Sequence, residues 1–359
     1  MEEQMKSVLR IVFSTFLLTS VITACVGSPT TSPDMVGTAV AQTQAWAQAT
    51  DNANSLTAAA AQPSPIPPII LPPLLPTPTE EPPIDPINFD EAELMALVVQ
   101  AITGLADAAD ETTNVVNVTT NDNMLTAQEI ASLYNQYNNI NYRVQRARRY
   151  VPYYVARYGG IAPGTKIILD GVDVTVGDIT DSNVQISVML DAFNNIFKNG
   201  GKLQQGDFDH LLQQALRSQN GARGLRSQTQ NLLSALQQDQ QGRLEDIARI
   251  QPDNIPGNNA DALRSAFEYL DQADLVAANG NLQRNDLLNL ARRGKNAQAG
   301  LQFFLGTPIP NLPQYNGNLN DITDLMAHGK VKDMRNKIKK SRGDLNMLLL
   351  LLATPTPIR

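Results

Sequence analysis

Between Pro63 and Pro86 about half of the residues are proline. Each proline fixes φ and removes a backbone donor, so a run this dense cannot complete a helix or a sheet ladder and favours polyproline II. A core must therefore be built on one side of it. Upstream, residues 38–62 are rich in Ala, Thr and Gln, with Trp46 their only aromatic, and offer too few large apolar groups to bury. Downstream, about 265 residues from Ile87 to Ala353 are long enough for a substantial core. At roughly 3.1 Å per residue the run spans on the order of 70 Å. It reads as a spacer through a cell-wall or envelope layer, the other use of such a run being a ligand for an aromatic groove.

Ahead of this tether, Lys6 and Arg10 precede the apolar segment Ile11 to Ala24. At about 14 residues it is too short to span a bilayer core of roughly 30 Å, and it suits the apolar part of a signal peptide. Glu2 and Glu3 are atypical there, and a start at Met5 leaves Met5-Lys6-Ser7 as a cleaner opening. The segment closes on Ile22-Thr23-Ala24-Cys25, with the only cysteine of the chain at its end. This resembles the lipobox of bacterial lipoproteins. The resemblance implies cleavage after Ala24, a diacylglyceryl group on Cys25 and a further fatty acid such as palmitate on the new N-terminus. Several acyl chains anchor stably where one binds only marginally.

A single Cys assigned to lipid leaves no thiol for a disulfide, a thiolate metal site or a cysteine nucleophile. With 28 basic and 35 acidic side chains the net charge is −7, which excludes a general nucleic-acid or anionic-membrane binder.

Three later segments share one pattern. Leu125-Thr126-Ala127-Gln128-Glu129-Ile130, Leu203-Gln204-Gln205-Gly206-Asp207-Phe208 and Leu282-Gln283-Arg284-Asn285-Asp286-Leu287 recur at a near-constant spacing of about 79 residues, the mark of an internal duplication. Thr126 with Glu129 is a capping box, and each Leu pairs with an apolar residue at hydrophobic-staple spacing. Gly200-Gly201 and Asn279-Gly280 precede two of the copies as turn residues that tolerate positive φ. Each unit is thus predicted to be helix, tight turn, helix, with a third helical stretch to follow. The outline weakly resembles EF-hand or dockerin units. Calcium loops need oxygen ligands at their first, third and fifth positions, where this chain has Val118, Thr120 and Asp122, then Ile196, Lys198 and Gly200, then Leu275, Ala277 and Asn279. Only the closing acids Glu129, Asp207 and Asp286 match throughout, so no metal is expected at these turns.

Lys166-Ile167-Ile168-Leu169 and Val172-Asp173-Val174-Thr175-Val176 flank Asp170-Gly171, which predicts a small β-hairpin with a type I′ turn. Asp170, Asp173, Asp178 and Asp181 cluster there; such a group could hold a cation, but turn and helix-cap roles explain these residues without one.

No catalytic constellation stands out. His210 and His328 lie in no metal-ligand spacing, and neither a G-x-S-x-G elbow nor a phosphate loop occurs. Aromatics are 5% of the chain, few for an enzyme that stacks sugars. The local exception is residues 134–158, which hold seven of the nine tyrosines and five arginines, with no acid between Glu129 and Asp170. Arg forks and Tyr faces suit anionic glycans or acidic partners. The ligand-binding candidates are Tyr142, Arg143, Arg146, Arg149, Tyr150, Tyr153, Tyr154 and Arg157; the alternative is a helix with tyrosines packed inward and arginines outward, ended by Pro152. Near the C-terminus, Lys330 to Arg342 read as a solvated basic helix before a Leu-rich core helix and a Thr-Pro tail, with membrane contact the other reading.

The expected organisation is a signal peptide over 1–24, an anchor and tether over 25–87, a mainly α repeat domain over 88–322 (units 88–160, 161–243 and 244–322) with one hairpin, and the basic and Leu-rich helices over 323–359. The expected function is a non-catalytic, lipid-anchored extracytoplasmic protein that binds or scaffolds an envelope component or partner protein. No catalytic residue, cofactor, metal or nucleic acid is expected, and the membrane is a partner through the lipid. The rivals are an enzyme on cell-wall or extracellular polysaccharide and a calcium-dependent adhesion module.

Overall fold

The computed structural model describes residues 84–353, except 123, 309 and 311. The signal segment, Cys25, the tether up to residue 83 and the tail from Thr354 lie outside the described residues.

A three-residue 3-10 turn, Pro86–Asn88, leads into eight helices, and there is no strand among the described residues. They are α1 (Glu91–Thr119), α2 (Ala127–Tyr158), α3 (Pro163–Lys198), α4 (Gln205–Arg249), α5 (Asn259–Ala278), α6 (Arg284–Phe304), α7 (Asn320–Ala327) and α8 (Val331–Ala353). The fold is mainly α, as expected.

The three shared segments each open a helix. Thr126 Oγ1 accepts from the Glu129 amide at 3.2 Å while Glu129 accepts from the Thr126 amide at 2.7 Å, and the Gln204 amide donates to Asp207 at 2.8 Å. Each bond satisfies a donor that the first helical turn leaves open. Leu125 with Ile130 and Leu282 with Leu287 are buried pairs, and half-buried Leu203 sits with buried Phe208. Upstream, Gly200 turns the chain with φ +72°, whereas Asn279 turns it in extended backbone at φ −70°. The described helices therefore pair as α1–α2, α3–α4 and α5–α6 across these turns.

Three expectations need correction. Residues 166–176 are not a hairpin but the first turns of α3. Leu169, Val172, Val176 and Ile179 are buried while Ile167 and Val174 face outward, a helical rather than alternating pattern. The N-terminus of α3 has no cap of its own; Asp239 of α4 accepts from the amides of Gly164 (3.1 Å) and Thr165 (2.7 Å) and from Thr165 Oγ1 (2.8 Å). Pro152 does not end α2 either. It sits exposed inside the helix, where the carbonyl it strands can meet water, and buried Tyr154 and Tyr158 hold the turns beyond it.

Helices α1 to α4 run up and down and each packs on the next, with α4 closing back on α1, as a four-helix bundle. A polar belt of Thr112, Thr113, Ser182, Asn183 and Ser218 divides its interior between a small apolar cluster and a larger one that continues into α5 to α8. Helix α1 is apolar and long enough to cross a membrane by composition, but half of that stretch is buried inside the bundle. Helices α5 to α8 form a second group, joined to α4 through Lys295, whose ammonium donates to the carbonyls of Ile247 (2.7 Å) and Ile250 (2.5 Å). The basic residues and the leucine run expected as two helices are one helix, α8.

Candidate functional site

The Tyr/Arg segment lies on α2, and the helix sorts its members by angle. Tyr142, Arg146, Arg149 and Tyr153 occupy i, i+4, i+7 and i+11, a single lane on the flank of the helix, and all four are half-buried. Arg146 Nη2 donates to Gln100 of α1 at 3.3 Å, and its guanidinium lies 5.7 Å from the centre of the Tyr150 ring. Arg143 turns across α1, with Nη1 against Gly104, where a Cβ would meet it at 2.6 Å.

The rest of the candidates turn inward. Tyr150, Tyr154 and Arg157 are buried. Tyr154 donates to Glu91 Oε1 at 2.9 Å. Burial first, and the neighbouring Glu91 carboxylate second, push its phenol well above the usual tyrosine range. Arg157 is fully buried, with Nη2 on the Ala277 carbonyl at 2.9 Å. Its burial pulls the guanidinium pKa down, partly offset by Tyr158, whose ring centre is 5.7 Å away. These inner groups hold helices together and cannot meet a large ligand.

The residues around Tyr154 form a site that spacing in the sequence did not indicate. Arg243 of α4 (2% exposed) pairs with Glu91 of α1 (0% exposed) through two nitrogens, at 2.5 and 3.3 Å. The same guanidinium donates to Ala327 O at 2.7 Å and Ile161 O at 3.0 Å, and Gln240 donates to Glu91 Oε2 at 3.2 Å. The Glu91 amide donates to Gly329 O at 2.9 Å. Gly329 has φ +68°, and a Cβ there would come within 2.3 Å of Glu91 Cβ, so glycine is required both for the turn and for the approach. Four helices and two loops thus meet on one ion pair near the first of the described residues. With its valences filled, the pair is a joint rather than a reactive centre.

A groove of about 790 Å³ runs between α3 and α4, lined by Asp178, Asp181, Gln185, Gln214, Arg217 and Asn220 among others. Asp178 and Asp181 therefore line an open polar channel, while Asp170 pairs with Lys166 at 2.6 Å. Of the positions a calcium loop would use, Val118 and Leu275 point outward from α1 and α5. No group of three or more His, Cys, Asp or Glu that could hold a metal ion occurs among the described residues. His210 is exposed on α4, and His328 Nδ1 lies 2.8 Å from the Asp324 carbonyl. Comparison of the chain with protein-family models, curated proteins and solved structures yields no match.

Proposed function

We propose that this is a non-catalytic, lipid-anchored extracytoplasmic protein that binds an anionic envelope component or an acidic partner protein through the outer lane of α2. The observation that carries the reading is the register of Tyr142, Arg146, Arg149 and Tyr153 at i, i+4, i+7 and i+11. Two arginines bracketed by two tyrosines on one flank offer forked donors and ring faces in a row, as an extended anionic chain requires. The lane belongs to a segment of 40 residues without an acid, Ile130 to Leu169. Anchoring rests on the lipobox-like sequence ending at Cys25. The helical part is read as three repeats of about 79 residues, supported by the three shared helix starts, each opening the second helix of a pair.

Two measurements test this. Full-length chain carrying Arg146→Glu and Tyr153→Ala should lose retention on envelope fractions while keeping its melting temperature within a few degrees, since both residues are only half-buried. Unchanged retention would remove the α2 lane from the reading. Cys25→Ser should move the protein from the detergent phase to the aqueous phase, and an unmoved protein would remove the anchor.

A further inference from the structure

The leucine run at the end of α8 was expected in a core. Only Leu345 and Leu348 are buried; Met347 (62% exposed), Leu349, Leu350, Leu351 and Leu352 all face out. At 100° per residue these five are not confined to one face of the helix, although Leu348, which lies between them, packs into the core at 5% exposed. Two more apolar residues sit at the same end. Helix α8 runs antiparallel to α5, with Arg335 on Ala277 and Arg342 on Asp271 and Asp274, so its end is level with the start of α5. Gly300 lies against Pro256 and Ala262 near that start, which places Phe303 (69% exposed) and Ile255 there as well. Three segments thus present apolar side chains at one end of the α5–α8 group.

We infer that this end docks on the surface of a lipid bilayer, with the tip of α8 in the interfacial layer. A partner protein or a second copy would select one flat face, as paired helices do. Apart from the side packed through Leu345 and Leu348, exposed apolar residues point in several directions, which suits an apolar medium around the tip better than one flat partner face. The stretch from Met347 to Ala353 is about 10 Å long, less than one leaflet of a core roughly 30 Å thick, so it enters and does not cross. Exposed Lys339 and Lys340 lie two to three turns before the tip, at a depth that matches lipid headgroups. Asp344 is the one acid between them and the leucines. The inference leans on the proposed lipid anchor only to bring a bilayer within reach: α8 starts close to the first described residues, where Lys332 meets Glu93 and Asp90, and is about 35 Å long, less than the roughly 70 Å that an extended proline run of this length would span.

Cys25 is the only cysteine, so full chain carrying Cys25→Ser and Leu351→Cys has a unique thiol for an environment-sensitive dye at the tip. With vesicles of phosphatidylcholine and phosphatidylglycerol at 7:3, the dye emission should shift to the blue and be quenched by spin-labelled lipid. Adding Phe303→Ser and Met347→Ser should weaken that response about tenfold or more, and Lys339→Glu with Lys340→Glu should weaken it on these vesicles more than on pure phosphatidylcholine. An emission unchanged by vesicles would overturn the inference. So would a shift that needs no lipid and grows with protein concentration, which would assign the end to self-association. Because this protein lacks the Cys25 thiol, its result stands apart from whether Cys25 is lipidated, which the detergent-phase experiment decides.

Discussion

Glu91 and Arg243 show how much one residue pair decides here. Neither carries a local signal: Glu91 reads as an acid in the first turn of a helix, and Arg243 as one polar residue in a long polar stretch. Only the fold brings them together across 152 positions and surrounds them with Tyr154, Gln240 and three backbone carbonyls. Removing one partner leaves a buried charge with no counter-ion, which destabilises by about 3–5 kcal/mol. Arg243→Met should therefore lower the stability measured by urea unfolding by that amount, and the double variant Glu91→Leu/Arg243→Met should recover a large part of it. A double variant no better than the single would show that the arginine acts mainly through Ala327 and Ile161. The α2 lane was legible in part for the same reason of scale. Composition singled out the segment, but the division into an outer lane and an inner set needed the helix register and the neighbours of α2.

At the scale of elements, helix starts that carry their own caps were readable, and the start that borrows its cap was not. Thr126 with Glu129 and Gln204 with Asp207 sit three residues apart, and both open helices as expected. The start of α3 depends on Asp239, about 75 residues away, and the β-branched run after it reads locally as strand. Tertiary packing overrides that preference by burying Leu169, Val172 and Val176 along one face. Asp239→Ala should cost about 1–2 kcal/mol, the range for loss of a helix cap, and should raise amide exchange selectively over residues 164–168. Exchange that rises equally along the whole of α3 would refute a capping role. The merging of the basic and leucine-rich stretches into α8 has a similar origin, since no Gly or Pro punctuation divides Lys337 from Leu352 strongly enough to break a helix; Gly343 is exposed and helical.

At the scale of the whole molecule, three tyrosines act as joints between segments. Tyr154 holds Glu91, Tyr158 donates to the Phe89 carbonyl at 2.7 Å, and Tyr269 donates to the Leu319 carbonyl at 3.0 Å. Burial is the first cause that raises the phenols of Tyr154, Tyr158, Tyr269 and Tyr315 above the ordinary value of 10. A group whose pKa is raised by folding contributes its stability fully below the unfolded value and loses it as pH climbs beyond. The protein should thus hold its stability up to about pH 10 and lose it steeply above. Absorbance titration should show buried tyrosines ionising late and together with unfolding. Smooth ionisation near pH 10 with the helix signal intact would contradict their role as joints.

The chain by itself determined that the residues beyond the proline-dense run are mainly helical and that three helices begin at the shared leucine-led segments, because apolar period and side-chain caps act within a few residues. Tertiary structure alone decided that residues 166–176 are helix, that Tyr154 and Arg157 point inward, and that the leucines of α8 remain outside. Those outcomes depend on groups such as Asp239, Glu91 and Ala277, which become neighbours only once the helices have packed.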